Sequence, residues 1–157
     1  MFRLVVLILL FSACGPVIAI EAECGLVVEA GDYNAERSDI VTCQHAAVKN
    51  GLTTCDLMQG VHVQFMETSG WTDSYSRRVS GITWCPGSKA SFDLFSTIQV
   101  GNGQLHPAYA GALIHELRHL QECGQADIAD HTNWKEDGVY DAIERARHDA
   151  RTEGDTK

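Results

Sequence analysis

The sequence has little proline, a shortage of positive charge and no closely spaced cysteine pair. Three prolines among 157 residues, against 14 glycines, indicate turns rather than a stiff linker. Twelve Lys and Arg against 21 Asp and Glu give a net charge of −9, and an acidic surface repels phosphates. We therefore expect no nucleic-acid partner. No C-x-x-C pair occurs, so neither a cysteine zinc ribbon nor a thioredoxin-like redox site is supported.

Long hydrophobic runs are also missing, except for a short one near the start. Residues 4–11 form an apolar run of about eight residues, which is too short to span a bilayer and is typical of an export signal. Cleavage after Ala19 gives a leader over residues 1–19. Alternatively, the sequence around Cys14 resembles a bacterial lipobox, which gives a leader over residues 1–13 and a lipid on Cys14. Both alternatives predict a secreted or periplasmic protein, and the second anchors it to the outer face of a membrane.

The remaining residues, 20–157, are enough for one compact domain and too few for two. Beyond either leader the cysteines are Cys24, Cys43, Cys55, Cys85 and Cys123. In an oxidising compartment they predict two disulfides and one remaining thiol, and the spacing does not decide which cysteines pair.

Hydrophobic periodicity predicts an α+β fold with a mixed sheet of three or more strands. A first helix is expected to be capped near Ser38 and to stop at Gly51. Apolar residues then alternate with polar ones, which predicts strands over residues 61–66, 78–85 and 92–100. A last helix is expected over residues 133–151, with Asn133 and Glu136 as its capping box. The three tryptophans fit ordinary packing, so no functional role is assigned to them.

Between the strands and the last helix lies the motif His115-Glu116-Leu117-Arg118-His119, within a helix predicted over residues 107–124. Histidines four residues apart stand one above the other on a helix and can share one metal ion. They project roughly 160° away from the apolar stripe of this helix, and Glu116 lies between the two faces, partly sheltered. The alternative is a solvated helix face with two surface histidines.

The motif resembles the signature of the zincin metallopeptidases, H-E-x-x-H on a helix that follows a mixed sheet. The resemblance covers the motif and, loosely, the order of elements around it, and Arg118 departs from the family's usual uncharged residue. It implies a small zincin-like domain in which His115 and His119 bind Zn²⁺ and Glu116 is the general base. It also implies a peptide or protein substrate that pairs with an edge strand, a role that the strand over residues 92–100 can serve.

A third metal ligand is needed, because catalytic zinc has three protein ligands and one open position. Glu144 on the last helix falls about 140° from the apolar stripe of that helix and should point to solvent. His131 lies in the polar connection before that helix, where the chain can fold back over the motif, so we nominate it as the third ligand. Asp127 and Asp130 are reserves, or could orient a histidine from outside the metal's own ligands.

The function that this pattern predicts is zinc-dependent hydrolysis of peptide bonds, with Glu116 taking the proton of a metal-bound water. Two other functions share parts of the pattern. One is a non-catalytic, exported, disulfide-stapled binding module or surface lipoprotein, and the other is a zinc-dependent amidase acting on cell-wall peptides.

Overall fold

The structure is a computed structural model, and the residues that it describes are 19–21, 23–29, 37–66, 72, 80–87, 94–101, 108–125 and 131–154. Its strands are β1 (Ala19–Glu21), β2 (Val27–Glu29), β3 (His62–Met66), β4 (Gly81–Trp84) and β5 (Thr97–Gly101). Its α-helices are α1 (Arg37–Lys49), α2 (Cys55–Met58), α3 (Ala108–His119) and α4 (Val139–Gly154). The predicted leader and Cys14 lie largely outside the described residues, so both remain predictions.

The five strands form one mixed sheet in the order β1-β2-β3-β5-β4. The three central strands, β2, β3 and β5, run parallel, whereas β1 and β4 pair antiparallel to their neighbours at the two edges. The predicted α+β fold with a mixed sheet is confirmed. The expectation that the strand over residues 92–100 forms an edge is wrong, because β5 is hydrogen-bonded to β3 on one side and to β4 on the other.

Alternation along the strands separates a core face from an outer face. In β3 the buried residues are Val63 and Phe65, and in β5 they are Ile98 and Val100. The residues between them are only half buried, as the period of a pleated strand requires. The core face of the sheet packs against α3, which contacts β4 and β5.

Helix α1 lies on α3 and α4, so the helices form a layer over one side of the sheet. Its end agrees with the sequence-based expectation, because Gly51 follows with a φ of +71°, in the left-handed region that favours glycine. Helix α3 ends earlier than expected, at His119, and continues as a 3-10 turn over Leu120–Glu122. Gly124, the predicted stop, has a φ of +96° just beyond that turn.

The last helix begins later than expected, at Val139 rather than at residue 133. Residues 132–138 form turns instead, in which Asp137 N donates to Asn133 O and Val139 N donates to Trp134 O. Gly138 has a φ of +69°, which a continuous α-helix cannot contain. The predicted capping box at Asn133 and Glu136 is therefore wrong.

Two disulfides form, as the cysteine count predicts. Cys24 pairs with Cys55, and Cys85 pairs with Cys123, while Cys43 is buried and takes part in neither. Two such bonds are typical of a protein from an oxidising compartment. Among the described helices, none has the length and apolar content needed to cross a bilayer.

Candidate metal centre

Three imidazole rings converge beside the C-terminal half of α3. Nε2 of His119 lies 3.3 Å from Nε2 of His115 and 3.1 Å from Nε2 of His131. One ring nitrogen from each of the three lies within 4.8 Å of the others. The three histidines can therefore hold one metal ion.

These spacings can be compared with those of a tetrahedral site. Zinc–imidazole bonds of about 2.0–2.1 Å place two ligand nitrogens about 3.3–3.4 Å apart at tetrahedral angles. The separations of 3.3 Å and 3.1 Å come within a few tenths of an ångström of that value. The donor set, three imidazoles, is one that zinc binds, and it also suits copper, iron and nickel.

Trp134 brings the third histidine to the helix. Its indole is buried and contacts all three imidazoles, with ring centroids 4.9 Å from His115, 4.8 Å from His119 and 4.1 Å from His131. Trp134 N donates to His131 O at 3.1 Å, which closes the turn that carries the histidine. The aromatic ring thus anchors the segment before α4 against the motif helix.

Glu122 orients the second histidine of the motif. Its Oε2 accepts from Nδ1 of His119 at 2.8 Å, and its Oε1 accepts from Nε1 of Trp134 at 2.6 Å. Arg118 Nη1 lies 3.4 Å from the same Oε1 and balances the buried negative charge. Because a carboxylate can only accept, Nδ1 of His119 carries the proton and Nε2 presents its lone pair to the other two histidines.

Glu116 lies on the sheet side of the helix, under the edge strand β4. The hydroxyl of Thr83 donates to Glu116, with Oε2 at 2.8 Å and the main-chain oxygen at 3.0 Å. Gly81 leaves room for the carboxyl group, because a Cβ at that position would lie 2.8 Å from Glu116 Oε1 and 2.6 Å from its Cγ. The side chain is buried, more deeply than the partial shelter predicted from the helical wheel.

Burial shifts the titration of the groups in this region. Desolvation raises the pKa of Glu116 to about 7. The hydrogen bond from Thr83 lowers the pKa and so offsets part of this rise. Desolvation also lowers the pKa of His115 to about 3, with further lowering by His119, His131 and Arg147. The pKa of His119 falls to about 3 for the same reason, with contributions from His131 and Arg118. The two motif histidines are thus neutral at pH 7, the form in which imidazole binds a metal.

The structure brings together the three histidines that the sequence nominated as ligands, although their role as ligands stays a prediction. Glu144 is exposed and pairs with Arg147, in agreement with its predicted direction. Asp127 and Asp130 lie outside the described residues. His119 is buried, because His131 and Trp134 pack against its ring.

Sequence reasoning missed four residues of this site. Glu122 lies three residues after His119, a spacing at which helical side chains meet, so the pair was open to recognition. Trp134 was treated as ordinary packing, and no local signal distinguishes it. Thr83 and Gly81 reach Glu116 only through the pairing of β4 with the sheet, a long-range contact that local patterns do not encode.

Comparisons with protein-family models, with curated proteins and with solved structures find no match to this chain.

Proposed function

We propose that this protein is an exported zinc-dependent peptidase in which His115, His119 and His131 hold the metal and Glu116 is the general base. The observation that carries the proposal is the convergence of three imidazole nitrogens beside an H-E-x-x-H helix. A zinc ion held by these three histidines would act as a Lewis acid, polarising a substrate carbonyl and making water easier to deprotonate.

Glu116 suits the role of general base because of its surroundings. A carboxyl group with a pKa of about 7 exchanges its proton near neutral pH, so it can both accept and return one. In the proposed reaction Glu116 takes a proton from the attacking water and delivers it to the leaving nitrogen as the C–N bond breaks. The products are a carboxylate and an amine. The hydroxyl of Thr83 donates to the carboxyl group and so favours this orientation of Glu116.

The peptide substrate is proposed to pair with β4, which takes the place of the strand first expected to do so. β4 is the outermost of the described strands on its side of the sheet, and its residue Thr83 contacts Glu116. A peptide added along this edge therefore passes close to the general base. An antiparallel edge strand lying along the motif helix, together with the mixed sheet, is also what supports a zincin-like assignment of the fold.

Export is proposed from the two disulfides together with the apolar leader. Mass spectrometry of the mature N-terminus distinguishes cleavage after Ala19 from a lipid on Cys14. Either product supports export, whereas an intact N-terminus on the chain isolated from its own cell contradicts it.

Substitution Glu116→Gln tests the catalytic proposal. The variant should retain zinc and fold, because Gln keeps the shape of the side chain, and peptide hydrolysis should fall by about 10³-fold or more for loss of the base. Glu136→Gln is the matched control, since Glu136 is exposed in the turn before α4. Activity is measured on a peptide library by mass spectrometry.

Three outcomes are informative. Full activity in Glu116→Gln contradicts the assigned role of the glutamate. A wild-type protein that binds zinc and hydrolyses no peptide indicates a binding module with a structural metal. Cleavage confined to peptides of cell-wall origin redirects the proposal to an amidase with the same residues.

A further inference from the structure

Arg147 of α4 lies directly against the motif helix at Gly111. A Cβ at residue 111 would lie 2.8 Å from Nε of Arg147 and 3.2 Å from both Cζ and Nη2. Nη2 donates to the main-chain oxygen of Gly111 at 3.4 Å. The guanidinium group fits this place only because residue 111 has no side chain.

This contact places a positive charge beside the metal centre. Gly111 precedes His115 by four residues, so it lies on the same face of α3, about 6 Å along the helix axis. Glu122 contacts His119 at the C-terminal end of that face. Arg147 therefore lies at the other end of the cluster, on the side of His115.

The Arg147 guanidinium group has N–H donors that its present contacts hold only weakly. Nη1 pairs with Glu144, whose side chain is 66% exposed, and such exposed pairs contribute little free energy. Nε is buried beside Gly111, so a ligand can bind this group only through Nη1 and Nη2. The Arg147 side chain itself is 31% exposed, so a solute can reach it. A carboxylate is the group that a guanidinium fork binds best, through two parallel hydrogen bonds.

We propose that Arg147 forms a subsite for a carboxylate of the substrate, next to the bond that is cleaved. This inference rests on the proposed peptidase function and specifies its substrate. An extended residue spans about 3.5 Å, so one or two residues bridge the distance from the histidine cluster to the guanidinium group. The carboxylate is either the C-terminus of the peptide or the side chain of an acidic residue beside the scissile bond.

Binding of two hydroxamates to the zinc-loaded protein tests the subsite without any turnover. Succinic monohydroxamate carries a carboxylate about three bonds from its metal-binding group, and butyrohydroxamate has a methyl group in its place. Calorimetric titration should give about tenfold tighter binding of the first compound, because a charge-assisted bidentate pair forms only with it.

Three variants assign the preference to Arg147. Arg147→Gln should make the two affinities equal, whereas Arg145→Gln, an exposed arginine of the same helix, should leave the tenfold ratio unchanged. Glu144→Gln removes the competing carboxylate and should increase the ratio about two- to threefold. The last variant decides the matter if Arg147→Gln does not fold, since a ratio that stays the same or falls then overturns the subsite.

The results separate this inference from the peptidase proposal. The carboxylate subsite is overturned if the wild type binds both hydroxamates equally, or if the preference persists in Arg147→Gln. Neither result contradicts the proposed metal centre. A preference that depends on Arg147, without hydrolysis of any peptide, supports the subsite and overturns the peptidase. Binding of neither compound overturns both.

Matched peptides then distinguish the two sources of the carboxylate. A C-terminal subsite predicts that a peptide acid is cleaved at least tenfold faster than its amide. A side-chain subsite predicts that a peptide amide with Glu beside the scissile bond is cleaved faster than the same amide with Gln. Equal rates in both comparisons contradict the proposal.

Discussion

Two histidine–carboxylate pairs in this protein share one local geometry and differ in everything around it. Nδ1 of His119 lies 2.8 Å from Glu122, and Nδ1 of His62 lies 2.8 Å from Glu29. The side chains of the first pair are 6% and 8% exposed, whereas those of the second are 32% and 29% exposed. The same hydrogen bond thus occurs once inside the helix layer and once on the outer face of the sheet.

The neighbours decide what each pair can do. Nε2 of His119 faces two further imidazoles, so the three ring nitrogens can bind one metal ion together. The second oxygen of Glu29 instead accepts from Gln64, which continues through Gln99 to Trp84 as a row of hydrogen bonds across the sheet. A histidine oriented by a carboxylate can therefore bind a metal together with other ligands only where those ligands converge on its free nitrogen.

The largest difference is expected when the histidines themselves are removed. His119→Ala deletes one of three ligands and should weaken zinc binding on the order of a thousandfold. His62→Ala should change the affinity by less than about twofold, because His62 is not part of the cluster. Competition with a chromophoric chelator measures both. Similar losses in the two variants would show that the metal binds elsewhere.

The next largest effect concerns the carboxylates. Glu122→Gln removes the negative charge that holds the Nδ1 proton of His119, and such changes typically cost about 10- to 100-fold in metal affinity. Glu29→Gln is the matched change on the sheet face and should leave the affinity unaltered. Both variants are measured by the same competition. An unchanged affinity in Glu122→Gln contradicts the orienting role of the carboxylate.

A smaller effect is expected from pH on the metal-free protein. The folded-state pKa values of His115 and His119 lie at about 3, below the unfolded value of 6.5. The unfolded chain therefore binds protons first, and the two histidines together lower the stability by on the order of 3 kcal/mol as the pH decreases from 6.5 to 5. Urea denaturation across this range measures the loss. A His62→Gln variant should lose stability like the wild type.

Glu116 allows a second test of the same pH dependence, because its contribution to stability changes with pH in the opposite direction to that of the histidines. Its pKa is about 7 in the folded protein and 4.5 in the unfolded chain, so its contribution to stability falls as the pH rises from 4.5 to 7. Glu116→Gln removes that opposing term, and acidification from pH 6.5 to 5 should then destabilise the variant more steeply than the wild type. A shallower dependence contradicts the assignment of these shifts.

The smallest effect is the stability lost from the sheet-face pair. Glu29→Gln should lower the free energy of unfolding by about 0.5 kcal/mol, since a partly exposed hydrogen bond contributes little. Glu122→Gln should cost about 2 kcal/mol or more, because the amide keeps one acceptor oxygen for two buried donors, His119 and Trp134, and leaves the charge of Arg118 without its partner. Urea denaturation at pH 7.5 compares them. Equal losses would remove the distinction between the two pairs.

Local periodicity predicted much of this fold. The alternation of Val63 and Phe65 with polar residues predicted β3, and the glycine stop predicted the end of α1. The short strands β1 and β2 were not predicted, because three residues are too few to show a period. The place of β5 between β3 and β4 was also missed, since strand order depends on contacts between distant residues.

The candidate metal centre was likewise predicted where local spacing determines it and missed where it depends on contacts between distant residues. The spacing of His115 and His119 followed from the helix, and His131 followed from its place in the chain and from the direction of Glu144. Glu122 and Trp134 were missed because a helical wheel ranks faces and does not show which later segment covers them. The pairing of Cys85 with Cys123 was likewise open, because spacing does not determine connectivity.

The metal content of the purified protein tests the central claim most directly. Wild-type protein and the His115→Ala, His119→Ala and His131→Ala variants are dialysed against trace zinc and analysed by mass spectrometry for metal per chain. We expect one zinc per wild-type chain and strongly reduced zinc in each of the three variants, with His62→Ala resembling the wild type. A wild-type protein without stoichiometric zinc, or a His131→Ala variant that retains all of it, would contradict the three-histidine site.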